Sequence, residues 1–416
     1  MSLLVFDKHF LWSYLNAEGG TTSYYYSDAI AWLAGAIALL WLSWFLIRRF
    51  QRSRALRRPR RSTNRLLKRI VKIKRELSSR YLRPGFSNTI HAVGIGKIPG
   101  SNDYCIQVFV SDANQEWRIG AAGTSLPALY RGIAVIMIEM PLATFLHDAA
   151  LATELADGIR GSQEILVGGI SGANANLAGE SGTIGYFCTR KSKLPRRKEI
   201  HLLSNSHVFA DLSKTNVDEG DLIMQPSPGE PASNRPIASL VNFTALNFDD
   251  QKKPNHADAA IARLWSVQQH KPVIPLIGAV KGYVRTKDFA VGETARKFGR
   301  TTGYTQGCVF SIYLDIWVHY DRRGQSAFFQ DQFLIEPAAP EFAKFVAKGD
   351  SGSLLVDDEQ YAVGLLFAGM SEAPQSTPGL GPHVDPTTPK PQRIEGYGVA
   401  NPISEVMDRL KIELVV

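Results

Sequence analysis

The chain has 416 residues and a formal net charge of +8, enough length for a large domain or two to three ordinary ones and for a sizeable core. The excess charge is local: residues 48 to 75 hold fourteen of the 47 Lys and Arg and no acid, leaving 33 basic against 39 acidic residues elsewhere. A globular nucleic-acid binder is therefore not indicated, and three unpaired, widely spaced cysteines (Cys105, Cys188, Cys308) speak against a disulfide framework, a Cys-x-x-Cys metal site and a secreted protein.

In chain order, residues 1–28 form a short N-terminus. Ala29 to Ile47 is then nineteen residues without a charge, which as a helix spans about 28 Å, the hydrocarbon thickness of a bilayer. Trp32, Trp41 and Trp44 lie within it, and Arg48, Arg49, Arg52, Arg54, Arg57 and Arg58 follow at once. The positive-inside rule then predicts a single-pass protein with the short N-terminus outside and everything after residue 47 in the cytoplasm. In a bacterium this is the inner membrane. Residues 48–80 read as a basic juxtamembrane helix: Leu66, Ile70, Ile73 and Leu77 make an apolar stripe among Lys68, Arg69, Lys72, Lys74 and Arg75. Such a helix suits anionic lipid headgroups, at about 1 kcal/mol per basic residue, or else a solvated stalk; nucleic acid, without interleaved aromatics, is the weaker partner.

Residues 81–160 read as a small β-β-α-β module. Ile90 to Ile98 and Tyr104 to Ser111 alternate across a Pro-Gly-Ser-Asn turn as a hairpin, Ser125 to Tyr130 reads as a short helix, Ile133 to Met140 as a third strand, and 141–160 as a helical connector. Residues 161–416 are strand-rich and punctuated by Gly and Pro, which predicts an all-β barrel or sandwich. Ile403 to Ile412 has helical periodicity, and six prolines between 371 and 395 predict a loop.

Three segments in this last region carry chemistry. Gly349-Asp350-Ser351-Gly352-Ser353 precedes the apolar run Leu354-Leu355-Val356, a layout that exposes a serine hydroxyl beside backbone N–H groups, although the same residues also build ordinary turns. His207, in Leu203-Ser204-Asn205-Ser206-His207, emerges at a strand end; His201, inside the strand, and His256 fit packing roles. Asp258, in Asn255-His256-Ala257-Asp258-Ala259-Ala260-Ile261, sits directly before an apolar strand, where an unpaired charge is costly. Their order is His, Asp, Ser, the order of chymotrypsin-type enzymes rather than of subtilisins or α/β-hydrolases.

On these motifs the chain resembles a trypsin-like serine peptidase of bacterial type, and Arg296-Lys297-Phe298-Gly299-Arg300-Thr301-Thr302-Gly303 is similar to a strand and turn frequent in bacterial members. It is also similar to narrow-leaf type plant protease-like proteins. The resemblance implies a mainly β fold, a chymotrypsin-like double β-barrel over 161–416, here preceded by the small module and the transmembrane helix. It implies His207, Asp258 and Ser351 as catalytic residues, the N–H groups of Gly349 and Ser351 as the oxyanion hole, a protein or peptide substrate, and no cofactor or metal. The residue six before the nucleophile is Phe345, not an aspartate, so a pocket for Lys or Arg is not expected. Ile165-Leu166-Val167-Gly168-Gly169 superficially resembles the new N-terminus of an activated zymogen; without it, Asp350 needs another internal partner. A catalytically silent protease-like scaffold at the membrane is the alternative, and the same enzyme facing outward is a third.

Overall fold

A computed structural model describes residues 39, 65–82, 90–111, 127–145, 160–177, 181–191, 199–213, 221–230, 234–320, 324–370 and 396–416. The chain divides into two units, Met1–Leu56 and Arg57–Val416. In the first, only Leu39 is described, so the expected span 29–47 lies, but for that residue, outside the described residues, as does the whole proline-rich stretch 371–395. Among the described residues no helix is long and apolar enough to cross a membrane.

The second unit holds two barrels. The first is a ring of six short strands, two of them bent. Ile170–Ser171 continues as Ala173–Asn174, and Thr183–Ile184 continues past Gly185 as Tyr186–Arg190. Pairing runs from the first of these to the second, then to His201–Ser204, Ala260–Leu264, Arg235–Phe243 and Leu222–Gln225, and back to Ala173–Asn174. Leu202, Leu203, Ile223, Ile237, Ile261 and Phe187 belong to its apolar core, all fully buried.

The second barrel closes through Thr294–Gly299, Gly303–Tyr320, Gln325–Pro337, Gly398–Pro402, Tyr361–Gly369 and Leu354–Val356, the last pairing Val356 with Arg296. The chain alternates as a half-buried strand should over 304–311: Thr305, Gly307, Val309 and Ser311 are buried, while Tyr304, Gln306, Cys308 and Phe310 are partly exposed. The helix Ile403–Leu410 follows the expected periodicity, burying Ile403, Val406, Met407 and Leu410, and ends at Lys411 in the left-handed conformation.

The upstream residues differ from expectation in three ways. The hairpin Ile90–Lys97 and Tyr104–Val110 forms as read. Yet it does not make a sheet of its own: Ala92 pairs with Ile316 and Ile95 with Ile312, so the hairpin extends the second barrel's longest strand, and Ile133–Glu139 adds to it in parallel. Leu129–Tyr130, expected in a helix, is a strand paired with Ile133–Ala134, and Ala143–Phe145, expected in a helical connector, is a strand as well. In each case sheet pairing outweighs weak local propensity.

The helix Arg65–Tyr81 forms, but its apolar stripe meets protein. Leu67, Ile70, Ile73, Leu77 and Tyr81 pack on Ile90, Val93, Ile95, Ile106 and Val108, whereas Leu66 is exposed. Lys74 lies on the buried face, where its Nζ is 2.6 Å from Asp315 Oδ1 with both side chains out of solvent, and Ser78 Oγ donates to the other oxygen. Removing one member of such a buried pair strands the other, typically at about 3–5 kcal/mol. Lipid cannot take the stripe while it is in this core; the face left outward carries Arg65, Lys68, Arg69, Lys72 and Arg75.

Candidate active site

His207 lies in a single helical turn, Ser206–Phe209, that follows the strand His201–Ser204 in the first barrel. Asp258 lies just before the strand Ala260–Leu264, the neighbour of that strand. The two side chains meet: His207 Nδ1 is hydrogen-bonded to Asp258 Oδ2, while Oδ1 accepts the N–H groups of Ser206 (2.6 Å) and His207 (3.2 Å). Asp258 is fully buried, and its carboxylate is satisfied by three donors, the condition under which a buried charge is tolerated. The Asp258 backbone is clamped in turn: its N–H donates to Asn401 Oδ1 (3.1 Å), and its carbonyl accepts Asn205 Nδ2 (2.7 Å) and Asn401 Nδ2 (3.1 Å). Asn401 belongs to the second barrel, in Gly398–Pro402, and also donates to the Leu365 carbonyl. It therefore couples the acid to the strand beside the serine loop.

That loop, 347–353, is organised around Asp350. Its Oδ1 accepts Thr301 N–H (2.9 Å) and Thr302 N–H (3.1 Å), and its Oδ2 accepts Thr302 Oγ1 (2.7 Å), Ala347 N–H (3.0 Å) and Lys297 Nζ (3.2 Å). Lys297 and Asp350 are both wholly buried. Burial pushes the Lys297 ammonium below the ordinary lysine range, and Asp350 opposes that shift. This is the internal partner for Asp350 that the sequence left unnamed. Ile165–Leu166 is a two-residue strand paired with Gln269–His270, with Ile165 half exposed and Leu166 buried.

Thr183 ties the loop to the first barrel. Its N–H donates to the Ser351 carbonyl (2.8 Å) and its Oγ1 to the Gly349 carbonyl (2.9 Å). Gly185, two residues on, faces the Gly352 carbonyl so closely that a Cβ there would lie 2.1 Å from the oxygen. Gly349 has φ +94°, and a Cβ on it would lie 2.1 Å from the Arg300 guanidinium; both the backbone conformation and the space require glycine. Arg300 is itself locked to Glu230 of the first barrel. Among the described residues, neither the Gly349 N–H nor the Ser351 N–H donates to an acceptor.

Ser351 is fully buried and its Oγ donates to the Phe367 carbonyl at 3.2 Å. The His207 ring is met edge-on by Tyr320, centroids 6.3 Å apart, and Tyr320 by Phe248 at 5.1 Å. Phe345, the residue expected at a substrate pocket, lies in an apolar cluster of the second barrel. It is fully buried among Ile95, Val309, Val346, Leu355 and Leu366, with Lys297 Nζ 5.7 Å from the ring centroid. Burial pushes the Cys105 thiol up to about 11 and the Cys308 thiol up to about 12, and raises Cys188 as well, which keeps all three protonated near neutral pH.

No family model matches the chain, and no curated protein matches it. Solved structures with a similar fold include Protease A of Thermobifida fusca, at 15% identity and TM-score 0.38, covering 61% of this chain and 99% of that one. A Nocardiopsis protease, at 14% identity and TM-score 0.35, covers 60% and 98%, and a Cellulomonas bogoriensis chymotrypsin, at 14% identity and TM-score 0.34, covers 60% and 97%. Likenesses this distant decide nothing about activity or specificity, which rest on the chain's own geometry.

Proposed function

We propose that this chain is a membrane-tethered serine endopeptidase that hydrolyses peptide bonds through Ser351, His207 and Asp258. The observation that carries the reading is the buried Asp258 bonded to His207 Nδ1 beside a serine loop whose Gly349 and Ser351 N–H groups are unengaged. Because Nδ1–H donates to Asp258, the imidazole keeps its lone pair on Nε2. Nε2 takes the Ser351 proton as Oγ attacks the substrate carbonyl, and Gly349 and Ser351 N–H hold the resulting oxyanion. The protonated ring then gives its proton to the leaving amine, and water releases the acyl group by the same steps in reverse roles. Incubating the folded full chain with a fluorophosphonate is expected to modify Ser351, with no adduct on Ser351→Ala. A folded chain that stays unmodified at high probe concentration under several activating conditions, opened variants included, returns the chain to the reading of a silent protease-like scaffold.

The tether and its orientation are part of the same proposal, supported by the uncharged run 29–47 and the arginines after it. The peptidase then works in the cytoplasm at the inner membrane, with the outward basic face of Arg65–Tyr81 near anionic headgroups. In sealed inner-membrane vesicles with the cytoplasmic face outward, added protease is expected to digest the C-terminal region; complete protection overturns this orientation.

A further inference from the structure

The strand Tyr361–Gly369 has two edges, and one of them is shared. Along one edge it pairs from Gly364 to Gly369 with Pro402 back to Gly398. Along the other it pairs with Leu354–Val356 only as far as Leu365. Beyond that point the second edge belongs to the serine loop: Gly352 N–H donates to the Leu366 carbonyl (2.9 Å) and Ser351 Oγ to the Phe367 carbonyl (3.2 Å). The next two positions, Ala368 and Gly369, are taken by an upstream segment of the same chain. Phe145 lies opposite Ala368 and Thr144 opposite Gly369, antiparallel.

We propose that Ala143–Phe145 is a built-in occupant of the peptide-docking edge beside Ser351, making the described form an occluded one that opens when this strand withdraws. The proposal rests on the reading of Ser351 as a nucleophile for peptides. An extended peptide joins an exposed sheet edge by adding a strand, its backbone supplying the affinity. The edge leading to Ser351 is Ala368–Gly369, and two strands cannot hold one register at once. From Thr144 to Phe145 the chain advances along that edge toward Phe367, and so toward the hydroxyl that Phe367 binds. The strand is also fixed on its far side, where Ala143 and Thr144 pair in parallel with Val318 and His319, the latter directly preceding the Tyr320 that meets His207. Full burial of Ser351 agrees with an occupied site. Three residues make few ladder bonds, so the occupant is displaceable without unfolding either barrel.

The test uses the full chain and a synthetic peptide of residues 138–147 as the probe. In the Ser351→Ala background, adding Thr144→Pro, which removes an N–H and disfavours strand pairing, is expected to tighten binding of this peptide about tenfold or more, because the open edge becomes the major population. With Ser351 present, Thr144→Pro is expected to speed fluorophosphonate modification, and Thr144→Val to behave as wild type. Phe145→Pro serves as a second opening variant. Tighter peptide binding without any modification of Ser351 supports the occluded edge and sinks the nucleophile instead. Folded proline variants that bind the peptide no better than their parent overturn the proposal. Native-state hydrogen exchange on the unaltered chain needs no variant: Thr144, Phe145, Ala368 and Gly369 are expected to exchange by local opening, about a hundredfold faster than Leu202 and Leu203 in the first barrel. Exchange of all six only through global unfolding makes the strand a fixed part of the fold and overturns the occluded form.

Discussion

Asp258→Asn is expected to lower kcat for peptide hydrolysis by about 10⁴-fold while leaving the fold in place and KM little changed. The size of the effect follows from which atoms the side chain must satisfy. Oδ1 accepts two backbone N–H groups, from Ser206 and His207, and only an oxygen can stay there. In asparagine the amide nitrogen is therefore turned toward His207 Nδ1. A donor facing Nδ1 requires Nδ1 to accept, which moves the ring proton to Nε2. The imidazole is then in the wrong tautomer to receive the Ser351 proton, although every heavy atom is where it was. Steady-state kinetics on the opened chain measure the loss, and circular dichroism checks the fold. A folded Asp258→Asn retaining more than about a tenth of the wild-type kcat is incompatible with Asp258 as the group that orients the base.

His207, Asp258 and Ser351 stand out as candidates in the sequence because each carries a local signature: a polar residue at a strand end, an acid entering an apolar strand, a serine between glycines. The residues that hold them in place carry none. Thr183, Asn401 and Lys297 act on partners 168, 143 and 53 positions away in the chain, and nothing in their neighbours' chemistry announces the partner. Lys297 leaves one trace, since it falls on a buried position of the strand Thr294–Gly299, and a lysine pointing inward implies an acid to meet it. Lys74 leaves the same trace in the helix Arg65–Tyr81. The amphipathic pattern is equally compatible with lipid and with protein, but a lysine one turn from Ile70 on the buried face fits only a surface that supplies a carboxylate, here Asp315. The upstream strands were misread for the opposite reason. Leu129–Tyr130 and Ala143–Phe145 have too few residues to show a period, and edges elsewhere in the sheet decide their conformation.

Lys297→Met is expected to lower kcat/KM by about 10²–10³-fold, the cost of losing an oxyanion donor, even though Lys297 touches no substrate. Asp350 would be left as a buried carboxylate with four neutral donors and no countercharge, a state worth about 3–5 kcal/mol of destabilisation when one member of a buried pair is removed. The loop 347–352 relieves that cost by letting Asp350 out toward water, and Gly349 N–H moves with it. A merely structural role predicts lost stability with normal turnover per folded molecule; a positioning role predicts lost turnover in the folded fraction. The pH dependence separates the two further. Because burial holds the Lys297 pKa in the folded chain below its unfolded value, the unfolded chain keeps this proton to higher pH. Between the two values this group's contribution to stability rises with pH, as its burial penalty is relieved, while loss of its charge uncouples Asp350 and activity falls. The wild type is therefore expected to show an alkaline loss of kcat/KM at a pH below ordinary lysine titration, without unfolding. Lys297→Arg, whose guanidinium stays charged, is expected to remove that limb wherever it folds. An alkaline limb in Lys297→Arg that coincides with that of the wild type assigns the ionisation to another group and removes Lys297 from control of the oxyanion loop.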